Sequence, residues 1–135
     1  MKIRAGFVSN SSSTSFLVIS QRELSEADLM SLMGVEKKSP LAGLFVQLFR
    51  DLLEQTDTHV DFSKTEPDLP AETWFTSDRM SDRMIEKLRE AKDKGLHAYY
   101  GQLSSDNNNV QTFFCTDSFE LENESMYFNG LECVW

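Results

Sequence analysis

The apolar residues of this chain change their spacing near residue 96, and this change limits the folds that the chain can adopt. Before residue 96, apolar side chains recur at the three- and four-residue intervals of amphipathic helices. After it, short apolar runs alternate with polar turn residues, a pattern typical of antiparallel strands. Helices and strands separated along a chain in this way favour an α+β fold over a doubly wound parallel sheet.

Three helices are predicted in the first 95 residues, at about 26–33, 41–55 and 78–94. The first follows Ser25, whose hydroxyl suits an N-cap. Gly34 and Gly95 follow the first and third helices, where glycine adopts the left-handed conformation of a C-terminal cap without strain. The second helix follows Ser39 and Pro40, a capping residue and a proline suited to the first turn.

The second helix carries an unusually broad apolar stripe. Residues spaced by three and four form it, namely Leu41, Leu44, Phe45, Leu48, Phe49, Leu52 and Leu53. Val46, Phe49 and Leu53 widen the stripe toward half of the helix circumference. This width predicts a central core helix under a sheet, and the alternative is a helix that also forms an oligomer contact.

One strand is predicted before the helices and several after them, at 16–19, 96–103, 110–116 and 119–122, with a short strand near 59–62. A final hairpin is predicted around Asn129-Gly130, because both central residues of a type I′ turn need positive φ. That turn would set Phe128 opposite Leu131. The predicted fold is three helices packed on an antiparallel β-meander formed mainly by the C-terminal third, plus one N-terminal strand.

Length and charge limit the class of protein. A chain of 135 residues with 40% hydrophobic residues predicts a single domain over residues 1–135 with one core. Its formal charge of −9 repels phosphate backbones and anionic lipids, so neither nucleic acid nor a membrane is an expected partner. There is no apolar run of secretory or membrane-spanning length, and Cys115 and Cys133 form no CxxC pair. We therefore expect a soluble, cytoplasmic protein with reduced thiols.

Residues 1–15 form a serine- and asparagine-rich motif segment. Seven small polar residues lie between the apolar Val8 and Phe16, and we take them as a candidate recognition or modification segment: Ser9, Asn10, Ser11, Ser12, Ser13, Thr14 and Ser15. Their side chains compete with the backbone for hydrogen bonds, which favours turns and irregular loops.

Three interpretations of this segment remain open. It can be a structural loop that lets Ile3, Phe7 and Val8 fold back beside residues 16–19. It can be a tag that another protein recognises or modifies, with the hydroxyls accepting phosphate. It can also be a ligand-binding or catalytic loop whose free N–H groups hold an anion.

Residues 2–16 run KIRAGFVSNSSSTSF and resemble a family of bacterial and phage proteins that open with K-[IV]-R-x-G-F-V-S-N-S-S-S-[ST]-S-F. The resemblance covers about residues 2–19. It departs from the pattern only at Thr14, where serine is common, and Ala5 falls at a variable place. The family has no established activity, so the resemblance implies a module shared by varied proteins and no catalytic residues.

No catalytic, cofactor or metal motif is present, and no catalytic, cofactor-binding or metal-binding residues are assigned. His97, Cys115 and Cys133 offer zinc a partial ligand set, but buried thiols are the favoured interpretation. Glu120, Glu122 and Glu124, with Asp117 nearby, can hold a hard cation. We favour instead the solvated face of an edge strand.

A row of cations on the third helix, Arg79, Arg83 and Lys87, has the spacing to bind an anion. Glu86 and Glu90 lie within three residues of it, so a partly neutralised, solvated face is favoured.

The leading functional hypothesis is a small non-enzymatic cytoplasmic protein that binds another protein or itself, through the serine-rich opening or the second helix. The alternative is an enzyme or small-ligand-binding protein that uses the serine-rich loop. A pocket formed by those serines with His59 or His97 would favour this alternative. A weaker alternative is an acidic phage-type inhibitor of a host protein.

Overall fold

The computed structural model describes residues 13–64, 81–115 and 119–134. Within them the elements follow the order β1 (Ser13–Ser20), α1 (Glu26–Met33), α2 (Ala42–Gln55), β2 (Thr56–Asp61), α3 (Asp82–Lys94), β3 (His97–Ser104), α4 (Asn109–Phe114), β4 (Phe119–Glu122) and β5 (Met126–Val134). The described helices are too short or too polar to cross a membrane.

The five strands form one antiparallel sheet in the order β2-β3-β1-β5-β4. β1 is therefore the central strand, although it comes first in the chain. It pairs with β3 along its whole length, from Ser13 opposite Ser104 to Ser20 opposite His97. The predicted α+β class, with an N-terminal strand beside C-terminal strands, is confirmed.

Helices cover both faces of the sheet because β1 is apolar on both faces. Phe16 and Val18 belong to a cluster that contains residues of α1, α2 and α4. Leu17 and Ile19 belong to a second cluster that contains Met84, Leu88 and Ala91 of α3. Side chains alternate between the faces of a strand, so a run of four apolar residues supplies two to each layer.

The caps predicted for the first and third helices are confirmed. Ser25 Oγ accepts a hydrogen bond from Asp28 N at 3.2 Å, and Gly34 has φ 72°. Gly95 has φ 67° and ends α3 as predicted. α3 begins after Ser81, whose Oγ accepts from Met84 N; the predicted start at residues 78–80 lies outside the described residues.

The predicted cap of the second helix at Ser39 is wrong. α2 begins at Ala42 after Leu41, with no side-chain cap. Ser39 Oγ instead accepts a hydrogen bond from Leu41 N in the turn before the helix.

The predicted strand at 110–116 is wrong over its described part, where the chain forms the short helix α4. Asn108 Oδ1 accepts a hydrogen bond from Gln111 N at 2.9 Å, which caps the first turn. Gln111 is buried, and its Oε1 accepts from Ser104 N at 3.0 Å. These side-chain bonds compete with a strand, and the apolar spacing of this short segment did not reveal them.

The predicted turn at Asn129-Gly130 is also wrong, because both residues lie inside the continuous strand β5. The turn comes earlier, where Asn123 Oδ1 accepts from Ser125 N at 3.0 Å and from Met126 N at 2.9 Å. Gly130 lies opposite Phe119 of β4, and a Cβ on Gly130 would lie 2.5 Å from the Phe119 ring. The glycine therefore makes room for an aromatic ring and does not supply a positive φ.

The other predicted strands are confirmed with small shifts of their ends. Residues 97–104 form β3, 119–122 form β4, and the short strand expected near 59–62 is β2 at 56–61.

We predict that Gly130→Ala lowers the free energy of unfolding by about 1–3 kcal/mol, because the new methyl group overpacks the Phe119 ring. Combining it with Phe119→Ala, which removes the ring, should cost less than the sum of the two single changes. Urea unfolding of the three variants measures this coupling.

Gly43→Ala is the matched control, because nothing lies within 4 Å of a Cβ at this helical position. It should raise the free energy of unfolding by about 0.5–1 kcal/mol. Additive costs for Gly130→Ala and Phe119→Ala would contradict the assigned packing.

Candidate functional site

The structure describes only part of the predicted serine-rich segment. Residues 9–12 lie outside the described residues, so their proposed recognition role stays a prediction. Ser13, Thr14 and Ser15 are the first residues of β1, and the strand begins three residues before the predicted start at Phe16. An irregular loop through residue 15 is therefore wrong. The backbone there pairs with β3 on one side and β5 on the other, which outweighs the local preference of hydroxyl residues for turns.

Burial removes two of these hydroxyls from the surface. Thr14 and Ser15 are 0% and 1% exposed, so a modifying enzyme cannot reach them in the folded chain. No hydrogen-bond partner for Thr14 Oγ1, Ser15 Oγ or Ser20 Oγ is found in the part of the chain that the structure describes. Each such buried group carries a desolvation cost of about 1–3 kcal/mol. Of the three described residues of the segment, only Ser13 is half-exposed.

The charged row on α3 is neutralised as predicted, but by residues of β4 as well as by its own helix. Arg83 contacts Glu86 at 2.9 Å and Glu120 at 2.8 Å. Lys87 contacts Glu122 at 2.9 Å and Glu90 at 3.2 Å, and its side chain is only 9% exposed. β4 is an edge strand, as predicted from its alternating glutamates. Arg79 and Asp117 lie outside the described residues.

Hydrogen bonds tune the charged groups of this α3–β4 cluster. Burial acts to lower the pKa of Lys87, but the hydrogen bonds to Glu122 and Glu90 outweigh it, so its pKa is raised. The Tyr127 hydroxyl and Arg83 both bond Glu120 and lower the pKa of its carboxyl. Arg83 and Lys87 contact four carboxylates between them, so the cluster holds α3 against the sheet and its excess of negative charge does not suit an anionic ligand.

The two histidines, predicted separately, lie together at the β2 side of the sheet. His59 Nε2 lies 3.0 Å from His97 Nδ1. The ring centroids are 5.3 Å apart with an interplanar angle of 22°, so the rings meet edge to edge and one proton can join the two nitrogens. His59 also stacks on Tyr99, with centroids 4.1 Å apart and an angle of 6°.

A fixed carboxylate lies beside this pair. Asp61 Oδ2 is 3.7 Å from His97 Nε2. Asp61 Oδ1 accepts hydrogen bonds from Ser63 N at 3.0 Å and from Ser63 Oγ at 2.6 Å. These bonds lower the pKa of Asp61 and keep it ionised. We call His59, His97, Asp61 and Tyr99 the histidine cluster.

The pKa of His59 lies below its ordinary value. Partial burial is the main cause, and the neighbouring His97 adds to it, while Glu23 and Asp61 act in the opposite direction. The two rings can keep their shared hydrogen bond when one proton is added to the pair. A second proton would charge both rings, break that hydrogen bond and make the rings repel each other.

The histidine cluster does not meet the serine-rich segment. His97 lies opposite Ser20, whereas Ser13 lies opposite Ser104 at the other end of the same strand. Seven residues of strand separate these ends by about 23 Å. A pocket of Ser13–Ser15 with either histidine, which would have favoured the enzyme alternative, is therefore absent from the described residues. Cys133 lies opposite Thr14, so it is also far from His97 and the partial zinc set does not form.

The second helix leaves apolar side chains at the surface. Leu48 and Leu52 are fully buried, as the stripe predicted. Leu41, Leu44 and Leu53 are exposed by 61%, 41% and 45%, and they are the large hydrophobic residues exposed in the described part of the chain. We call these three side chains the α2 leucine surface. Leu44 and Leu53 are nine residues apart in α2, so their side chains lie about 180° apart around the helix axis. Leu41 and Leu44 therefore form one exposed apolar site and Leu53 a second, and exposed apolar groups of this kind mark interaction sites.

A cavity of about 180 Å³ lies between the end of α3 and the β4–β5 turn. Ile19, Leu96 and Tyr127 form part of its lining, with Lys94 and Glu122 among the charged residues. Groups of both signs line this cavity, so it does not select a ligand of one charge.

Comparison of the chain with protein-family models, with curated proteins and with solved structures finds no match. The α2 leucine surface and the histidine cluster are the two candidate sites. The broad apolar stripe favoured a buried core helix and indicated the first site only through its alternative, an oligomer contact. The second was missed because His59 and His97 are 38 residues apart and meet only through the β2–β3 register.

We predict that lowering the pH destabilises the protein partly through His59. Because folding lowers the pKa of His59 from 6.5, its contribution to stability is present above pH 6.5 and is lost as the pH falls through the folded-state pKa. His59→Gln should therefore lose less free energy of unfolding than the parent protein between about pH 7.5 and 5.

Urea unfolding at both pH values tests this, with Thr58→Val as a control that keeps both histidines. Equal losses in the parent protein and His59→Gln would contradict the lowered pKa.

Proposed function

We propose that this protein acts in the cytoplasm by binding another protein through the α2 leucine surface, without catalysing a reaction. One observation carries the proposal: Leu41, Leu44 and Leu53 are exposed on a single segment, while the rest of the described core is well buried. Apolar area at a protein surface is costly in water, and a partner that covers it supplies the main favourable term of association.

The surface belongs to a helix that is held firmly from beneath. Asp51 is 2% exposed and accepts hydrogen bonds from Gln47 Nε2 at 3.0 Å and from Asn108 Nδ2 at 3.1 Å. At the end of α2, Gln55 O lies so close to Gly101 of β3 that a Cβ at this position would clash with it, so helix and sheet are in close contact. A helix fixed in this way loses little conformational entropy on binding.

The charge of the chain favours a partner different from itself. Two copies would bring two net charges of −9 together, and long-range repulsion opposes that association. A protein with an apolar contact surface and a basic surround fits better, because opposite charges speed encounter and disfavour wrong partners. Self-association is the competing outcome of the test.

The serine-rich segment is a second route to a partner. Ser9, Asn10, Ser11 and Ser12 precede β1 in sequence, so a tag role is compatible with the fold, whereas Thr14 and Ser15 are buried. A truncated chain that tests this second route should therefore begin at Ser13, because removing residues 13–15 would shorten the central strand.

We predict that replacing the α2 leucine surface weakens partner binding at least tenfold without unfolding the protein. Leu53→Glu and the pair Leu41→Glu with Leu44→Glu place charge in a contact that binding would desolvate. Substitutions at exposed positions usually change the free energy of unfolding by only about 0.5 kcal/mol.

The experiment isolates partners from the native cells, purifies the protein captured, and titrates it against each variant. Arg50→Gln, on the same helix, is the control and should bind normally. A chain lacking residues 1–12 separates the serine-rich route from the helix route. Unchanged affinity in both leucine variants would overturn the proposal.

Light scattering of the pure protein over a range of concentrations tests the choice of partner. A monomer at every concentration supports a different protein as partner. A dimer that Leu53→Glu dissociates would assign the surface to a second copy instead.

A further inference from the structure

We propose that His59 and His97 form a site for one divalent transition-metal ion, of the class that imidazole nitrogen binds well, such as Zn²⁺ or Cu²⁺. Their Nε2 and Nδ1 atoms approach to 3.0 Å, each from a different strand. The ion would take the place of the proton that the two rings share. This inference is independent of the α2 leucine surface and goes beyond the proposed function.

The separation of the two nitrogens is close to that of two ligands on one ion. Zinc–imidazole bonds of about 2.0–2.1 Å at tetrahedral angles place two nitrogens about 3.3–3.4 Å apart. The observed 3.0 Å must therefore open by a few tenths of an ångström, and the rings must tilt toward a common point. His59 lies flat on Tyr99, with an angle of 6°, so it can rotate in its own plane and keep that stacking contact.

The carboxylate of Asp61 prepares His97 for this role. Metal-binding histidines commonly donate their other N–H to a carboxylate, which fixes the tautomer and makes the ligating nitrogen more basic. His97 Nε2 lies 3.7 Å from Asp61 Oδ2, slightly beyond a hydrogen bond, so the carboxylate acts through its charge and favours the tautomer that carries N–H at Nε2 and a lone pair at Nδ1. Two bonds from Ser63 hold Asp61 in place.

Electrostatics around the pair favour a cation. The carboxylate of Asp61, whose Oδ2 lies 3.7 Å from His97 Nε2, places negative charge beside the pair. Protonating both rings would put two positive charges 3.0 Å apart, whereas one ion can be bound by both rings in their neutral forms. Lys64, 3.9 Å from Asp61 and largely exposed, is the cation that partly opposes this field.

The donor set indicates the kind of ion and an incomplete coordination shell. No cluster of three or more His, Cys, Asp or Glu suited to a metal occurs in residues 13–64, 81–115 and 119–134. The site therefore has two protein nitrogens, and water or a ligand would complete it. Ca²⁺ and Mg²⁺ need mainly oxygen donors, so a transition ion is favoured.

The test titrates Zn²⁺ into the full chain by calorimetry at about pH 7.5. We expect one saturable equivalent, and we expect His59→Gln and His97→Gln each to weaken it at least tenfold. Asp61→Asn should weaken it about 10–100-fold if the carboxylate orients His97.

Asp57→Asn is the matched control, because it removes the same charge from an exposed position on the same strand and should leave binding unchanged. Circular dichroism of each variant checks that it is folded. Equal weakening by Asp57→Asn and Asp61→Asn would show general attraction to an acidic surface and would overturn the role of Asp61.

Electron paramagnetic resonance of bound Cu²⁺ gives a readout that depends on the ligands themselves. We expect nitrogen couplings from two imidazoles in the parent protein and from one in each single histidine variant. A spectrum that is unchanged in His59→Gln, or Zn²⁺ binding of equal strength in that variant, would overturn the site. Failure to bind metal would not count against the proposed protein contact at the α2 leucine surface, because the leucine variants that test that contact retain both histidines.

Discussion

The burial of β1 on both faces is the constraint on which the rest of the fold depends. Phe16, Leu17 and Val18 are completely buried, and the strand pairs with β3 on one side and β5 on the other. A strand in this position needs a helix layer on each face, since its alternating side chains point both ways. α3 supplies one layer, and α1, α2 and α4 supply the other.

Features decided by neighbouring residues could be predicted from the sequence, and features decided by distant ones could not. The caps at Ser25 and Gly95 act within one turn, and both were predicted correctly. Gly130 looked like a turn residue because its sequence neighbour is an asparagine. Its true role depends on the Phe119 ring across the sheet, which local patterns do not reveal.

The same distinction applies to the candidate sites. The width of the apolar stripe on α2 predicted a central core helix, which holds for Leu48 and Leu52 but not for the exposed leucines of the α2 leucine surface. The histidine cluster needs the register that sets His59 opposite Tyr99 and Asp61 opposite His97, and no pattern within either strand contains that register. Hydroxyl content alone also gave the wrong start for β1, because pairing on two sides outweighs it.

Native-state hydrogen exchange tests the central position of β1 most directly. The amides of residues 16–19 should be among the slowest in the protein, and their exchange free energies should equal the free energy of global unfolding measured in urea. Amides in α2 should exchange through smaller openings, because only part of that helix is buried. Faster exchange in residues 16–19 than in α2 would contradict the account, because the central strand would then open while α2 stays folded.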